Sequence, residues 1–278
     1  MSAYPYPIRI IGLDLDGTVF NDQKEITPRT LAAIEAAAAK GIVVLPATGR
    51  PASGVPKEFL AIPGVDYALT SNGATITRLS DGEPVVFMPF DTPTALGLYD
   101  LLDPIDCICN VFIDGQSYTP EGNAHLLEEF APANIRAYIK DTRRKVKDLR
   151  QYILDHEGRV EKVVAMFQDL EQRRRTWDLI AEKFPQVEIT SSFENNIELN
   201  AHGVHKGAAL LALAKELGCG AENIMACGDN SNDLAMLQSV GLSVAMGNAE
   251  ESIKKTAKFI TDDNNHDGVA KAIEQFVL

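Results

Sequence analysis

Ile8-Arg9-Ile10-Ile11-Gly12-Leu13-Asp14-Leu15-Asp16-Gly17-Thr18 is the stretch on which the reading of this chain turns. An apolar run stops at Leu13, and two carboxylates separated by one residue follow it. Side chains alternate along a strand, so Asp14 and Asp16 would share one side and repel each other unless a cation or a shared proton lay between them. Such a pair marks a candidate site. Asp-Gly also closes many strands as a plain turn, and these residues alone leave both readings open.

The sequence outward from that stretch alternates strand and helix. Residues 19–26, with Asn21-Asp22 at their middle, read as a small hairpin or flap, or as an ordinary loop. Thr27 is placed to cap a helix, Pro28 suits its first turn, and Gly41 ends it. Residues 42–45 are short, apolar and β-branched, the mark of a buried parallel strand, and they end in Ala47-Thr48-Gly49-Arg50. Residues 67–70 repeat the arrangement more weakly ahead of Ser71-Asn72-Gly73-Ala74. Between about residues 84 and 195 the rhythm changes to strands at 85–90, 107–113 and 117–119, with Asp114-Gly115 as a hairpin turn. Helices at 145–156 and 170–183 alternate there with strands at 160–167 and 187–191, and Arg173-Arg174-Arg175 reads as a solvated helix face. From Asn196 the strand and helix alternation returns, with His205-Lys206-Gly207 opening a helix that ends at Gly218. A strand over 223–226 then opens into Gly228-Asp229-Asn230-Ser231-Asn232-Asp233. The economical architecture is one parallel sheet, residues 1–84 and 196–278, interrupted by an inserted α+β layer over 85–195.

Composition narrows the function. The chain has 278 residues, a net charge of −13 and a hydrophobic content of 45%, values of a folded globular protein rather than a disordered one. So acidic a chain argues against nucleic acid or an anionic membrane as a partner, since both select basic surfaces. No basic start precedes a long apolar stretch and no later run is long enough to span a membrane, so a cytoplasmic location is the default expectation. The four cysteines make no disulfide scaffold in a chain this long, and Cys107 and Cys109 read as small buried side chains.

In open α/β sheets, ligands collect outside the carboxyl ends of the strands. Four polar clusters fall at such ends: Asp14 with Asp16, Thr48, Lys206, and Asp229 with Asp233. Each alone has a bland explanation as a turn, a loop, a surface lysine or a helix cap. Their convergence is the signal. Several carboxylates in one crevice require a hard cation, and oxygen-only ligation suits Mg2+, which completes its shell with water and substrate phosphate. The five histidines, at 125, 156, 202, 205 and 266, have no ligand spacing of the kind zinc uses. A lysine and a threonine hydroxyl near the cation would serve a phosphoryl group.

These residues resemble the haloacid dehalogenase-like (HAD) hydrolases and, within them, the Cof-type (subfamily IIB) phosphatases. The similarity is carried in order by Asp14-Leu15-Asp16-Gly17-Thr18-Val19, Ala47-Thr48-Gly49-Arg50, Lys206-Gly207 and Gly228-Asp229-Asn230-Ser231-Asn232-Asp233. Ala245-Met246-Gly247-Asn248-Ala249 and Asp267-Gly268-Val269-Ala270 extend it toward the end of the chain. The resemblance implies a Rossmann-like parallel-sheet core with an inserted α+β cap that sets specificity. It implies Asp14 as nucleophile, Asp16 as general acid and base, and Mg2+ held by Asp14, the Asp16 carbonyl and Asp229. Leu15, Thr48, Gly49, Lys206 and Asn232 are then the phosphate contacts, with Asp233 and Arg50 in support.

The expected activity is hydrolysis of a small-molecule phosphate ester, a sugar phosphate first. Phosphatases of pyridoxal phosphate or a flavin nucleotide, a phosphomutase, and a non-catalytic phosphometabolite-binding protein are the alternatives. The carboxyl at Asp16 disfavours a dehalogenase, which needs no acid there. No nucleic-acid or membrane partner is expected, and a monomer is the favoured state.

Overall fold

The computed structural model describes residues 4–123, 126–131 and 135–278, so that His125 lies outside the described residues. The chain forms two compact units, the first built from Met1–Gly49, Val55–Phe87 and His205–Leu278 and the second from Arg50–Gly54 and Met88–Val204. In chain order the elements begin with β1 (Ile10–Leu13), α1 (Pro28–Ala39), β2 (Val43–Pro46), α2 (Lys57–Leu60), β3 (Tyr67–Thr70), β4 (Thr75–Arg78) and β5 (Pro84–Phe87). They continue with α3 (Thr92–Leu102), β6 (Ile108–Ile113), β7 (Gln116–Pro120), α4 (Leu127–Phe130), α5 (Arg136–Thr142), β8 (Arg143–Val146), α6 (Leu149–Asp155), β9 (Val160–Met166), α7 (Leu170–Lys183), β10 (Glu188–Thr190) and β11 (Asn196–Asn200). They close with α8 (Lys206–Glu216), β12 (Ile224–Gly228), α9 (Leu234–Ser239), β13 (Leu242–Ala245), α10 (Glu251–Thr256), β14 (Phe259–Ile260) and α11 (Gly268–Phe276).

The first unit is organised by a five-stranded sheet in the order β14-β13-β12-β1-β2, all of whose pairings are parallel. Ile10, Ile11 and Leu13 are fully buried, as expected of a central strand covered on both faces. The capping signals act as read: the Thr27 hydroxyl accepts from the Thr30 amide at 3.2 Å, and Gly41 supplies a φ of +79° beyond the last turn of α1. Strand β3 instead heads a separate three-stranded sheet, β3-β4-β5, touching the parallel sheet through one bridge, Ala47 to Leu69. No helix among the described residues is long and apolar enough to cross a membrane.

In the second unit a six-stranded sheet runs β10-β11-β9-β6-β7-β8. One face packs Cys109, Val111, Val163, Ala165, Ile197 and Leu199 against Leu98, Leu102, Leu149, Ile153 and Ile180 from α3, α6 and α7. The opposite face carries a smaller apolar cluster of Ile108, Phe112, Val164 and Met166 with Phe130, Ile135 and Ile139. Cys107 and Cys109 are buried free thiols, and burial pushes the Cys107 thiol up to about 12.

Both edges of the expected insert shift. β5 pairs with β4 in the first unit, whereas β11 pairs with β9 and β10, so residues 196–204 belong to the second unit rather than the core. Their alternation of Asn196, Glu198 and Asn200 with Ile197 and Leu199 is that of an antiparallel strand with two different faces. The helix expected over 145–156 starts later, because residues 145 and 146 lie in the edge strand β8 beside β7. In α7, Arg174 and Arg175 pair with Glu171 at the surface, while the Arg173 guanidinium donates to the Asn196 carbonyl at 3.0 Å and lies over Trp177.

Candidate active site

The parallel register explains why distant residues meet. Leu13 lies opposite Cys227 on one side and Pro46 on the other, so β1, β12 and β2 end at one level and release Asp14, Asp229 and Thr48 along the same edge. Helix α8 begins at Lys206, capped by His205, whose Nδ1 accepts from the Ala208 amide at 3.2 Å. A lysine in a first helical turn sits at the wrong end of the macrodipole. Nearby carboxylates reverse that preference: the Lys206 ammonium, wholly buried, donates to Asp14 Oδ1 at 2.6 Å and to Asp233 Oδ1 at 2.7 Å.

Asp233 is fixed from its other oxygen, which accepts from the Asp229 amide at 3.0 Å and the Asn230 amide at 3.1 Å. Asp229 takes a hydrogen bond from the Thr18 hydroxyl at 2.7 Å. Gly17 is needed beside it, because the backbone there has a φ of +87° and a Cβ would collide with the Asp229 carboxylate. The Gly17 carbonyl is held in turn by the Asn248 amide at 2.8 Å.

Asp14, Asp229 and Asp233 offer carboxylate oxygens within 4.8 Å of one another. Their mutual repulsion is visible in their proton affinity. Burial, then the charge of Asp233, raises Asp14 well above the usual carboxylate range despite Lys206, and the same two causes push Asp229 up to about 7. Burial works against the Lys206 ammonium, but Asp14 and Asp233 outweigh it and keep the amine protonated. One ammonium among three carboxylates leaves an excess of negative charge in a poorly solvated place. An all-oxygen donor set under that strain fits a hard divalent cation.

The other residues singled out in the sequence fall as follows. Asp16 is partly exposed, and its carboxylate accepts from Lys24 at 2.9 Å, a lysine on the tight 21–25 turn with a φ of +63°. Thr48 is buried, its amide donating to the Leu69 carbonyl at 3.0 Å and its carbonyl accepting from the Asn72 amide at 3.1 Å. Leu15 is fully buried, while Gly49 and Asn232 are half-buried, the latter in the Ser231–Asp233 turn. Arg50 lies in the second unit, where its guanidinium donates to the Gly54 carbonyl at 3.1 Å and stacks 4.4 Å from the centre of the Tyr138 ring. Sequence reasoning gave no role to the Thr18 hydroxyl or to Lys24. Thr18 had a readable signal in its place directly after Asp16-Gly17, whereas Lys24 needs the turn to bring it back.

The family described as haloacid dehalogenase-like hydrolase matches residues 11–273. A Bacillus subtilis (strain 168) protein named 5-amino-6-(5-phospho-D-ribitylamino)uracil phosphatase is 33% identical over 273 residues, covering 98% of this chain and 96% of its own. An Escherichia coli (strain K12) protein named pyridoxal phosphate phosphatase is 25% identical over 281 residues, covering 97% and 99%. A solved structure titled as a haloacid dehalogenase-like hydrolase from B. subtilis superposes with a TM-score of 0.85 at 26% identity, covering 97% of this chain and 100% of that one.

Proposed function

The chain belongs to the haloacid dehalogenase-like hydrolase family, and from that premise we propose that it is a Mg2+-dependent phosphatase of small phosphate monoesters, working through an aspartyl-phosphate on Asp14. The observation that carries the reading is the buried Asp14 carboxylate, held at 2.6 Å by Lys206 beside Asp229 and Asp233. A nucleophile must be oriented and ionised, and the ammonium favours both.

In the first step an Asp14 oxygen attacks phosphorus and the bond from phosphorus to the alcohol oxygen breaks, while Asp16 delivers a proton to that oxygen. In the second step Asp16 takes a proton from water, the water oxygen attacks phosphorus, and the bond from phosphorus to Asp14 breaks to free phosphate and the carboxylate. Lys206, with Thr48, Gly49, Asn232 and the amides of Leu15 and Asp16, would orient and neutralise the phosphoryl oxygens. Asp14, Asp229 and the Asp16 carbonyl would hold the divalent cation, with Asp233 fixing Lys206 and the Asp229 backbone. When bound, that cation supplies positive charge to the phosphoryl oxygens and lowers the proton affinity of Asp14.

Sugar and polyol phosphates are the first substrate class, supported by the relative named for a phosphoribityl compound. Phosphorylated cofactors are the second, supported by the relative named for pyridoxal phosphate. A panel containing ribitol 5-phosphate, hexose phosphates, pyridoxal phosphate and flavin mononucleotide, assayed with Mg2+ for phosphate release, separates them by kcat/KM. Asp14→Asn is expected to abolish turnover with the circular dichroism spectrum unchanged. Retained turnover would sink the covalent mechanism, and isomerisation without phosphate release would make the protein a mutase.

A further inference from the structure

Beside the strand end that carries Asp14 and Asp16, the first unit holds a short hairpin over residues 20–26. Phe20 bridges Asp16 on one side and Ile26 on the other. The turn is closed by the Lys24 amide on the Asn21 carbonyl at 2.9 Å, the Asn21 amide on the Glu25 carbonyl at 3.0 Å and the Glu25 amide on Asn21 Oδ1 at 2.9 Å. The hairpin is also fastened from outside. The buried Asn264 side chain donates to the Phe20 carbonyl at 3.0 Å and to Asp22 Oδ1 at 3.2 Å, and Asn265 Oδ1 accepts from the Asp22 amide at 3.1 Å. The Asn248 side chain accepts from the Asn264 amide at 3.1 Å and donates to the Gly17 carbonyl at 2.8 Å. Hairpin and Asp14–Gly17 loop thus share one support.

Lys24 sits where this turn least favours a side chain. Its φ is +63°, a conformation that glycine adopts freely and lysine only with strain. Folding alone would select glycine there. The lysine instead reaches back to Asp16 Oδ1 at 2.9 Å. With side chains 41% and 37% exposed, the pair adds little to stability. What a fixed ammonium supplies is orientation. A carboxyl that passes a proton must lie within hydrogen-bond reach of the receiving oxygen, and small misplacements in such a constellation are costly. The ammonium also faces the negative charge that develops on Asp16 as its proton leaves.

We propose that Lys24 is a positioning residue for the reaction: the hairpin, pinned by Asn264 and Asn265, presents its ammonium to Asp16 and keeps that carboxyl placed for proton transfer to the leaving oxygen. The proposal rests on the phosphatase reading, with Asp16 as its acid.

The test measures kcat/KM with Mg2+ for two esters in the wild type, Lys24→Met, Lys24→Gly and Lys24→Arg. Ribitol 5-phosphate has an alkoxide that leaves poorly without a proton, whereas the phenolate of p-nitrophenyl phosphate needs less help. Lys24→Met and Lys24→Gly should each lose about tenfold more on ribitol 5-phosphate than on p-nitrophenyl phosphate. Lys24→Arg carries the same backbone strain as Lys24→Met but keeps cationic donors, and it should retain most of the wild-type ratio between the esters. Lys24→Gly relieves the positive φ and should melt within about 3 °C of the wild type.

Equal losses on the two esters, no loss, or a Lys24→Arg protein no better than Lys24→Met would overturn the role of Lys24 and leave the phosphatase reading standing. A Lys24→Gly protein that melts far below the wild type would likewise return Lys24 to a structural role. A wild type that frees phosphate from neither ester overturns the phosphatase reading, and the role of Lys24 with it.

Discussion

Two lysines, one in each unit, are buried almost completely against carboxylates. Lys206 has no exposed side-chain area and Lys162 has 1%, and both lie 2.6–2.7 Å from an acidic oxygen. Their surroundings differ in charge balance. Lys162 meets Glu198, whose other oxygen is occupied by Ser192 and Asn196, so that the charge and the lone pairs are accounted for. Lys206 meets Asp14 and Asp233 with Asp229 close behind, and burial with the neighbouring charge of Asp233 raises the proton affinity of Asp14 and Asp229. Depth of burial is therefore a poor guide to chemistry. The informative feature is charge left over after every local partner has been used.

Replacing each lysine breaks or sharpens that contrast. Lys206→Met is expected to lower phosphatase kcat by about 10³ while the chain remains folded, since it removes a charge opposite the reacting phosphoryl group. Lys162→Met should act on stability instead, costing about 3 kcal/mol because it removes the ammonium that balances the buried Glu198 charge. Adding Glu198→Leu should restore most of that loss, measurable as the midpoint of urea unfolding. A large activity loss in the Lys162→Met, Glu198→Leu protein with full stability would mean that the second pair takes part in the chemistry after all.

The leftover charge also predicts a pH response in the metal-free chain. Between the ordinary carboxylate range and about 7, folded Asp229 keeps a proton that the unfolded chain releases. Its contribution is complete below the unfolded value and is lost as pH rises through about 7, and Asp14 acts in the same direction. With chelator present, Tm should fall by roughly 3–10 °C between pH 5 and pH 8. Added Mg2+ should recover more at pH 8 than at pH 5, and Asp229→Asn should flatten the slope. A Tm that rises over this range in chelator would contradict the repulsion described. The smallest effect belongs to the exposed pair: Lys24→Ala should cost no more than about 0.5 kcal/mol of stability by urea unfolding, although it removes the lysine from the Asp16 carboxylate.

Legibility followed the kind of force involved. The first strand and the Thr27 cap are readable because each is written in consecutive residues with one strong period or start signal. The edge of the insert is not. Asn196, Glu198 and Asn200 face one way and Ile197 and Leu199 the other, a two-sided pattern whose partner strand cannot be read from the pattern itself. The four clusters of the candidate site could be placed at one sheet edge from strand ends alone. The pairing of Lys206 with Asp14 across 192 positions and the Thr18 hydroxyl on Asp229 depend on register between distant strands, which local pattern does not carry.

The turn at Arg50–Gly54 departs from the first unit and belongs with the second, its Ser53 amide bonded to the Gly115 carbonyl at 2.9 Å and its Arg50 stacked on Tyr138. The insertion is therefore not a cassette with one entry and one exit. β5, the last strand before residues 88–204, and α8, the first helix after them, pack against each other within the first unit. Deleting residues 88–204 would strand residues 50–54 with neither partner. A domain-swapping or circular-permutation scheme for this chain has to carry that turn along with the insert, or redesign it as a free loop.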